Sequence, residues 1–155
     1  MINFSDLEIT QNRSMQSDIE LHLKACDKMF VPPLSGRVDL HDYSIKLFEK
    51  SNRFEAWCMD VLVGLIAVYL RDDKTAFVSN VSVLKEFEGM GIAGKLMNNC
   101  LSHLKDEHIT LIELEVNVGN SRAITFYEKF GLKCRDNKSN ILKYTLTYFS
   151  KNYET

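Results

Sequence analysis

Three glycines fall within six residues, Gly89, Gly91 and Gly94, at the point where the hydrophobic period of the chain changes. Before them the apolar pattern is that of strands; after them, from Gly91 to Lys105, Ile92, Ala93, Leu96, Met97, Cys100, Leu101 and Leu104 recur at helical spacing. Glycine inside a helix costs about 1 kcal/mol relative to alanine, so three of them at a helix start need a reason. Missing side chains let another body approach the backbone. The first turn of a helix also offers unpaired N–H groups and positive dipole character. Together these describe a site for a diphosphate; a tight strand-to-helix turn would account for the same glycines without a ligand.

The rest of the chain arranges itself around this junction. Ser17 to Phe30 reads as a helix, with Ile19, Leu21, Leu23, Ala25, Cys26 and Met29 as its apolar face and Ser17 or Asp18 as its cap. Pro32-Pro33 ends it, and a loop follows. A second helix runs from about Leu40 to Lys50, with Tyr43, Leu47 and Phe48 on one side. Arg53–Met59, Leu62–Leu70 and Thr75–Leu84 read as three strands with short turns, an antiparallel meander; on the third, Phe77, Val81 and Val83 stand on one face. Leu111–Val118 is a further strand and Ser121–Phe130 a helix that Gly131 closes. A last strand pair, Leu132–Cys134 and Ile141–Phe149, is joined by the polar turn RDNKSN. A strand–helix–strand passage in the middle implies one parallel pair. The class is α/β (α+β), a mixed, mostly antiparallel sheet of six to seven strands flanked by four helices.

Composition narrows the function. The chain has 155 residues, 45% of them hydrophobic, enough for one domain with a real core. A formal net charge of −2 argues against nucleic acid as a partner. Cys26, Cys58, Cys100 and Cys134 lie far apart, without zinc spacing, and read as thiols in a reducing cytosol. No metal is expected. The first residues carry no basic apolar leader, and the run from Val61 to Leu70 is too short to span a bilayer, so a cytoplasmic protein is expected.

Two glycine motifs compete for the junction. A P-loop fits Gly89, Gly94 and Lys95, but Leu96 stands where a magnesium-binding hydroxyl belongs. The dinucleotide fingerprint fits Gly89-Met90-Gly91-Ile92-Ala93-Gly94 literally, yet it normally follows the first strand of its unit, and the next strand here ends in Asn117 rather than an acidic residue.

Downstream, the stretch NSRAITFYEKFGLK supplies a second motif. With it the chain resembles the GNAT acetyltransferase superfamily, whose Q/R-x-x-G-x-G/A motif lies at a strand-to-helix junction. Glu88-Gly89-Met90-Gly91-Ile92-Ala93 stands at those places, and Asn120, Ala123, Phe126-Tyr127 and Gly131-Leu132 match the second motif in identity and spacing. The resemblance covers about Val63 to Leu132. It departs at Glu88, where the family usually has Arg or Gln, and at Met90, often basic; Lys85 or Lys95 would offset the carboxylate. The resemblance implies acetyl-CoA as acetyl donor, and transfer to a primary amine of a small molecule by direct attack in a ternary complex. A protein N-terminus or lysine as acceptor, or an acyl-CoA sensor without turnover, are the alternatives; a homodimer stays open.

By the same resemblance, the backbone of Val81 and Val83 holds the pantetheine arm. Glu88, Gly89, Met90, Gly91, Ile92, Ala93 and Gly94 surround the diphosphate, Asn120, Ala123 and Phe126 contact the CoA arm, and Tyr127 is the general acid for the thiolate. From periodicity alone Tyr127 also reads as a core aromatic, and Asn120 as an N-cap. No general base is legible: Asn80 and Ser82 do not titrate usefully, and Glu55, Glu113, Glu115 and His41 read equally as structural or solvated groups. Residues 1–53 form a helical acceptor-side segment, with Arg37 and Tyr43 toward the substrate, and residues 54–149 form the sheet and CoA-binding core.

Overall fold

The computed structural model describes residues 4–147, which form seven strands and four α-helices. In chain order these are β1 (Glu8–Gln11), α1 (Gln16–Cys26), α2 (Leu40–Lys50), β2 (Asn52–Cys58), β3 (Val61–Leu70) and β4 (Thr75–Val83), then α3 (Ile92–Asp106), β5 (Leu111–Asn117), α4 (Ser121–Lys129), β6 (Lys133–Lys138) and β7 (Ile141–Thr147). The sheet order is β1-β2-β3-β4-β5-β7-β6. Only β4 and β5 run parallel, joined by the α3 crossover, as the strand–helix–strand passage requires.

The sheet separates two cores. On one side Phe54, Ile66, Val78, Ile112 and Leu114 meet α3 and α4 through Ile92, Leu96, Leu104 and Tyr127. On the other, Trp57, Leu62, Leu65 and Ala67 meet α1 and α2 through Ile19, Leu23 and Leu47. Buried apolar side chains stabilise the fold by about 1.5–3 kcal/mol each, so these two layers fix the helices to the sheet.

Several expectations need correction. The three-strand meander is present as β2, β3 and β4, but an unexpected strand, Glu8–Gln11, pairs with β2 beside it. The first helix stops at Cys26; Asp27–Met29 tightens into a 3-10 turn. Leu21, expected on its buried face, is exposed, and His22 takes the place beside Ile19, Leu23 and Cys26. The polar stretch expected as a turn after Cys134 is largely strand: β6 is exposed along its whole length and is held by pairing with β7 alone. Its turn is Ser139-Asn140, both at positive φ. Phe149, the expected end of the last strand, lies outside the described residues.

The third expected strand hides a change of face. Ala67 pairs with Asn80 and Val68 with Val78, leaving Ser79 as an extra residue in β4. A bulge of this kind shifts side-chain parity by one. Ala76 and Val78 before it, and Val81 and Val83 after it, therefore share the α3/α4 face. Phe77 does not stand with Val81 and Val83; it carries the Arg71 guanidinium 4.4 Å above its ring. Tyr43 of α2 secures the bulge, its hydroxyl lying 2.5 Å from Ser79 Oγ and donating to the Ser79 carbonyl at 3.1 Å.

Candidate active site

β4 and β5 pair only at Thr75–Leu111, Ala76–Ile112 and Phe77–Glu113. Beyond these three pairs the strands part, and a cavity of about 1080 Å³ opens between them. Its walls are Val78–Val83 of β4 and Glu115–Asn117 of β5. Leu84 donates its N–H to Val63 of β3 at 2.8 Å. Alternate residues of a strand turn their polar groups to opposite neighbours, so the N–H and C=O groups of Val83 and Val81 face the gap.

At one end of the cavity lies the glycine turn. Gly89 and Gly91 adopt φ of +83° and +79°, a conformation that side chains other than glycine resist. Gly91 is the N-cap of α3 and offers no side-chain cap. The first-turn N–H groups of α3 thus remain for a ligand, with the dipole behind them. Gly94 has ordinary backbone geometry, and an added methyl would meet only Phe130 Cζ at 3.9 Å, so the protein itself does not demand glycine there. Gly89, Gly91, Ile92, Ala93 and Gly94 all line the cavity. Met90 does not; it packs on the α3/α4 core.

Glu88 also lines the cavity, and its charge is answered from an unexpected side. Neither Lys85 nor Lys95 pairs with it. Arg122, in the first turn of α4, donates to Glu88 Oε2 at 2.6 Å. The bridge spans the starts of α3 and α4.

α4 brings the remaining donor-side residues. Asn120 accepts from the Ala123 N–H at 3.2 Å and so is the N-cap, while also lining the cavity. At the other end, Leu132 donates to the Tyr127 carbonyl at 3.2 Å and Gly131, at φ +91°, to that of Glu128 at 3.0 Å. This paired closure fixes the last turn. Phe126 and Tyr127 line the cavity with rings 5.6 Å apart. The Tyr127 phenol has no hydrogen-bond partner among the described residues, and burial pushes it up to about 12, so it stays protonated at neutral pH.

The loop between α1 and α2 forms a further part of the cavity wall. Phe30, Val31, Pro32, Leu34, Arg37 and Val38 contribute, together with Tyr43. Asp27 ties the loop, accepting from the Ser35 N–H and Oγ, both at 2.6 Å. Asp39 does not pair with Arg37; it caps α2 by accepting from the Asp42 N–H at 2.9 Å.

Most carboxylates considered as bases are otherwise engaged. Glu55 is fully buried and accepts from Thr10 Oγ1, the Arg13 N–H and the Ser14 N–H at 2.7–2.9 Å, with Arg53 beside it. Glu113 pairs with Lys143 at 2.9 Å. His41 is exposed and pairs with Glu20 at 2.8 Å, away from the cavity lining. Glu115 alone of the four lines the cavity.

Residues 22–132 match the acetyltransferase (GNAT) family. The chain belongs to that family. This GNAT chain is 29% identical over 92 residues to N-alpha-acetyltransferase 50 of Danio rerio, a match covering 57% of the chain and 55% of that protein. It thus spans about half the length of that relative. Its fold is that of Ard1 from Thermoplasma volcanium, with a TM-score of 0.74 at 20% identity over 94% of this chain and 99% of that one. The PaiA N-acetyltransferase of Thermoplasma acidophilum, solved with coenzyme A, has a TM-score of 0.71 at 16% identity, covering 91% and 99%. Among the described residues no group of three or more His, Cys, Asp or Glu side chains could hold a metal, and no helix is long and apolar enough to cross a membrane.

Proposed function

We propose that this GNAT chain is an acetyl-CoA-dependent N-acetyltransferase that passes the acetyl group directly to a primary amine while both substrates are bound. One observation carries the reading: uncapped N–H groups at the start of α3 and the Tyr127 phenol open onto one cavity that passes between β4 and β5. A diphosphate has its donors at Gly91–Gly94. An amide-bearing arm has the outward-facing backbone of Val81 and Val83, with Asn120, Ala123 and Phe126 opposite. The amine attacks the thioester carbon, the C–S bond breaks, and the thiolate takes the Tyr127 proton. Residues 26–43 supply the acceptor wall, and residues 77–141 the donor side.

The acceptor we favour is the α-amino group of a protein rather than a small amine. The rim of the acceptor loop is apolar and open, with Val31 45% and Val38 38% exposed, which suits the first side chains of a chain held partly outside the protein. The matched relative is itself called an N-alpha-acetyltransferase. Arg37 lies on the same rim and suits an acidic group of the acceptor.

Thiol release from acetyl-CoA, measured across peptides with free N-termini and a set of polyamines, amino sugars and amino acids, tests both levels. Turnover is expected with peptides that begin with an apolar residue, falling roughly a hundredfold in kcat for Tyr127→Phe. Turnover with small amines only would return the acceptor to that class. Binding of acetyl-CoA without turnover of any amine would make the chain a sensor.

A further inference from the structure

Three polar side chains outside the donor machinery form one connected line. His22 Nδ1 lies 2.8 Å from the Leu62 carbonyl, and Nε2 lies 2.8 Å from Ser82 Oγ. A carbonyl only accepts, so Nδ1 carries the proton and Nε2 is the acceptor for the Ser82 hydroxyl. Asn80 Nδ2 donates to the Leu65 carbonyl at 3.3 Å and to Ser82 Oγ at 2.8 Å. That orients the amide and leaves Asn80 Oδ1 buried with no partner among the described residues. Asn80 and Ser82 line the cavity, and His22 stands behind them, 2% exposed.

This line exists because of the bulge. Without the extra residue at Ser79, Asn80 and Ser82 would follow Ala76 and Val78 onto the α3/α4 face. With it, they turn toward α1, opposite Ala67 and Leu65. Structural need alone is a poor account of such a line. Position 22 belongs to the buried stripe of Ile19, Leu23 and Cys26, where leucine would pack without desolvating a ring. An orphaned buried acceptor is also costly to the fold. Burial holds the imidazole neutral, pushed down to about 4, so Nε2 keeps its lone pair at neutral pH. Cys26 Sγ lies 3.6 Å from Nε2 and is pushed up to about 12, so it adds no charge.

We propose that His22, acting through the Ser82 hydroxyl, takes the proton that the acceptor amine loses, and that the Asn80 amide, donating to Ser82 Oγ, holds that hydroxyl in place. This rests on the acetyl-transfer reading above. The nitrogen lone pair forms the bond to the acetyl carbon, and the C–S electron pair leaves on sulfur. The nitrogen gives a proton to Ser82 Oγ as Ser82 gives its own to His22 Nε2. Tyr127 protonates the sulfur, and solvent restores Tyr127 and His22 once the products have left.

The test is steady-state kinetics of the wild type, Ser82→Ala, Ser82→Thr, His22→Gln and Glu115→Gln, using the best amine of the wild type. Ser82→Ala and His22→Gln should each lower kcat roughly a hundredfold with acetyl-CoA affinity unchanged. Ser82→Thr keeps the hydroxyl and should restore most of the rate, and the Ser82→Ala/His22→Gln pair should be no slower than either alone. Ser82 lies on the cavity wall, so its variants carry the test even if His22→Gln fails to fold. Full activity in Ser82→Ala, a Ser82→Thr as slow as Ser82→Ala, or a loss confined to Glu115→Gln would overturn the relay while acetyl transfer stands. A wild type that turns over no amine overturns both.

Discussion

Glu88 and Arg122 show how a departure at one position is answered at another. A carboxylate beside an anion-binding turn is repulsive, and near a protein surface the interaction at 4 Å is about 4 kcal/mol before screening. The guanidinium of Arg122, 2.6 Å away and set in a neighbouring helix, cancels that charge at the cavity wall. Arg122→Ala should therefore raise the acetyl-CoA Kd about threefold to tenfold by titration calorimetry, most at low salt. Glu88→Gln in the same background should restore affinity, because the residual charge goes with it. Equal losses in the single and double variants would mean that Arg122 touches the ligand directly and Glu88 only holds it. Nothing in the sequence joins positions 34 residues apart; the closeness of the two helix starts does, and only the fold supplies it.

At the scale of elements, α3 sits where it does because β3 has no side chain at Gly64. A Cβ there would lie 2.7 Å from Ile92 Cγ2 and 3.2 Å from Leu96 Cδ1. Gly64→Ala should cost about 1–3 kcal/mol in urea unfolding, the range of overpacked cores, and should weaken acetyl-CoA binding because Ile92 opens the anion turn. Gly94→Ala should do the opposite to the fold. A methyl fits there, helix propensity favours it by up to about 1 kcal/mol, and only the ligand should lose. A Gly94→Ala protein that binds acetyl-CoA as well as the wild type would show that nothing approaches that backbone.

The same elements mark what the sequence discloses. α2 was legible to the residue and the β3–β5 strands nearly so, because their apolar period is clean. β1 is four residues with little burial, and β6 has no buried side chain, so neither carries a period to read. The glycine turn and Tyr127 were legible as motifs. The line from Asn80 through Ser82 to His22 was not, because strict alternation puts Asn80 and Ser82 on the wrong face and a single extra residue reverses them.

For the whole molecule, the two half-sheets meet only through three residue pairs, and a donor lying between them should act as a splint. Saturating acetyl-CoA at about 100 times its Kd adds about 2.7 kcal/mol of stability, a rise in Tm of roughly 5–10 °C for a domain of this size. Amide exchange at Val81 and Val83 should slow at the same time. A higher Tm without protection at those two amides would put the ligand elsewhere.

Most sheets keep their raw margins on the outside, where they must be guarded against stray strands. This one carries a margin indoors, in a slot whose far wall is a diverging neighbour of its own sheet. Such a slot leaves one row of backbone groups free, which a slender thread of amides could pair with. How early two strands let go of each other thus sets how much of that row is left free.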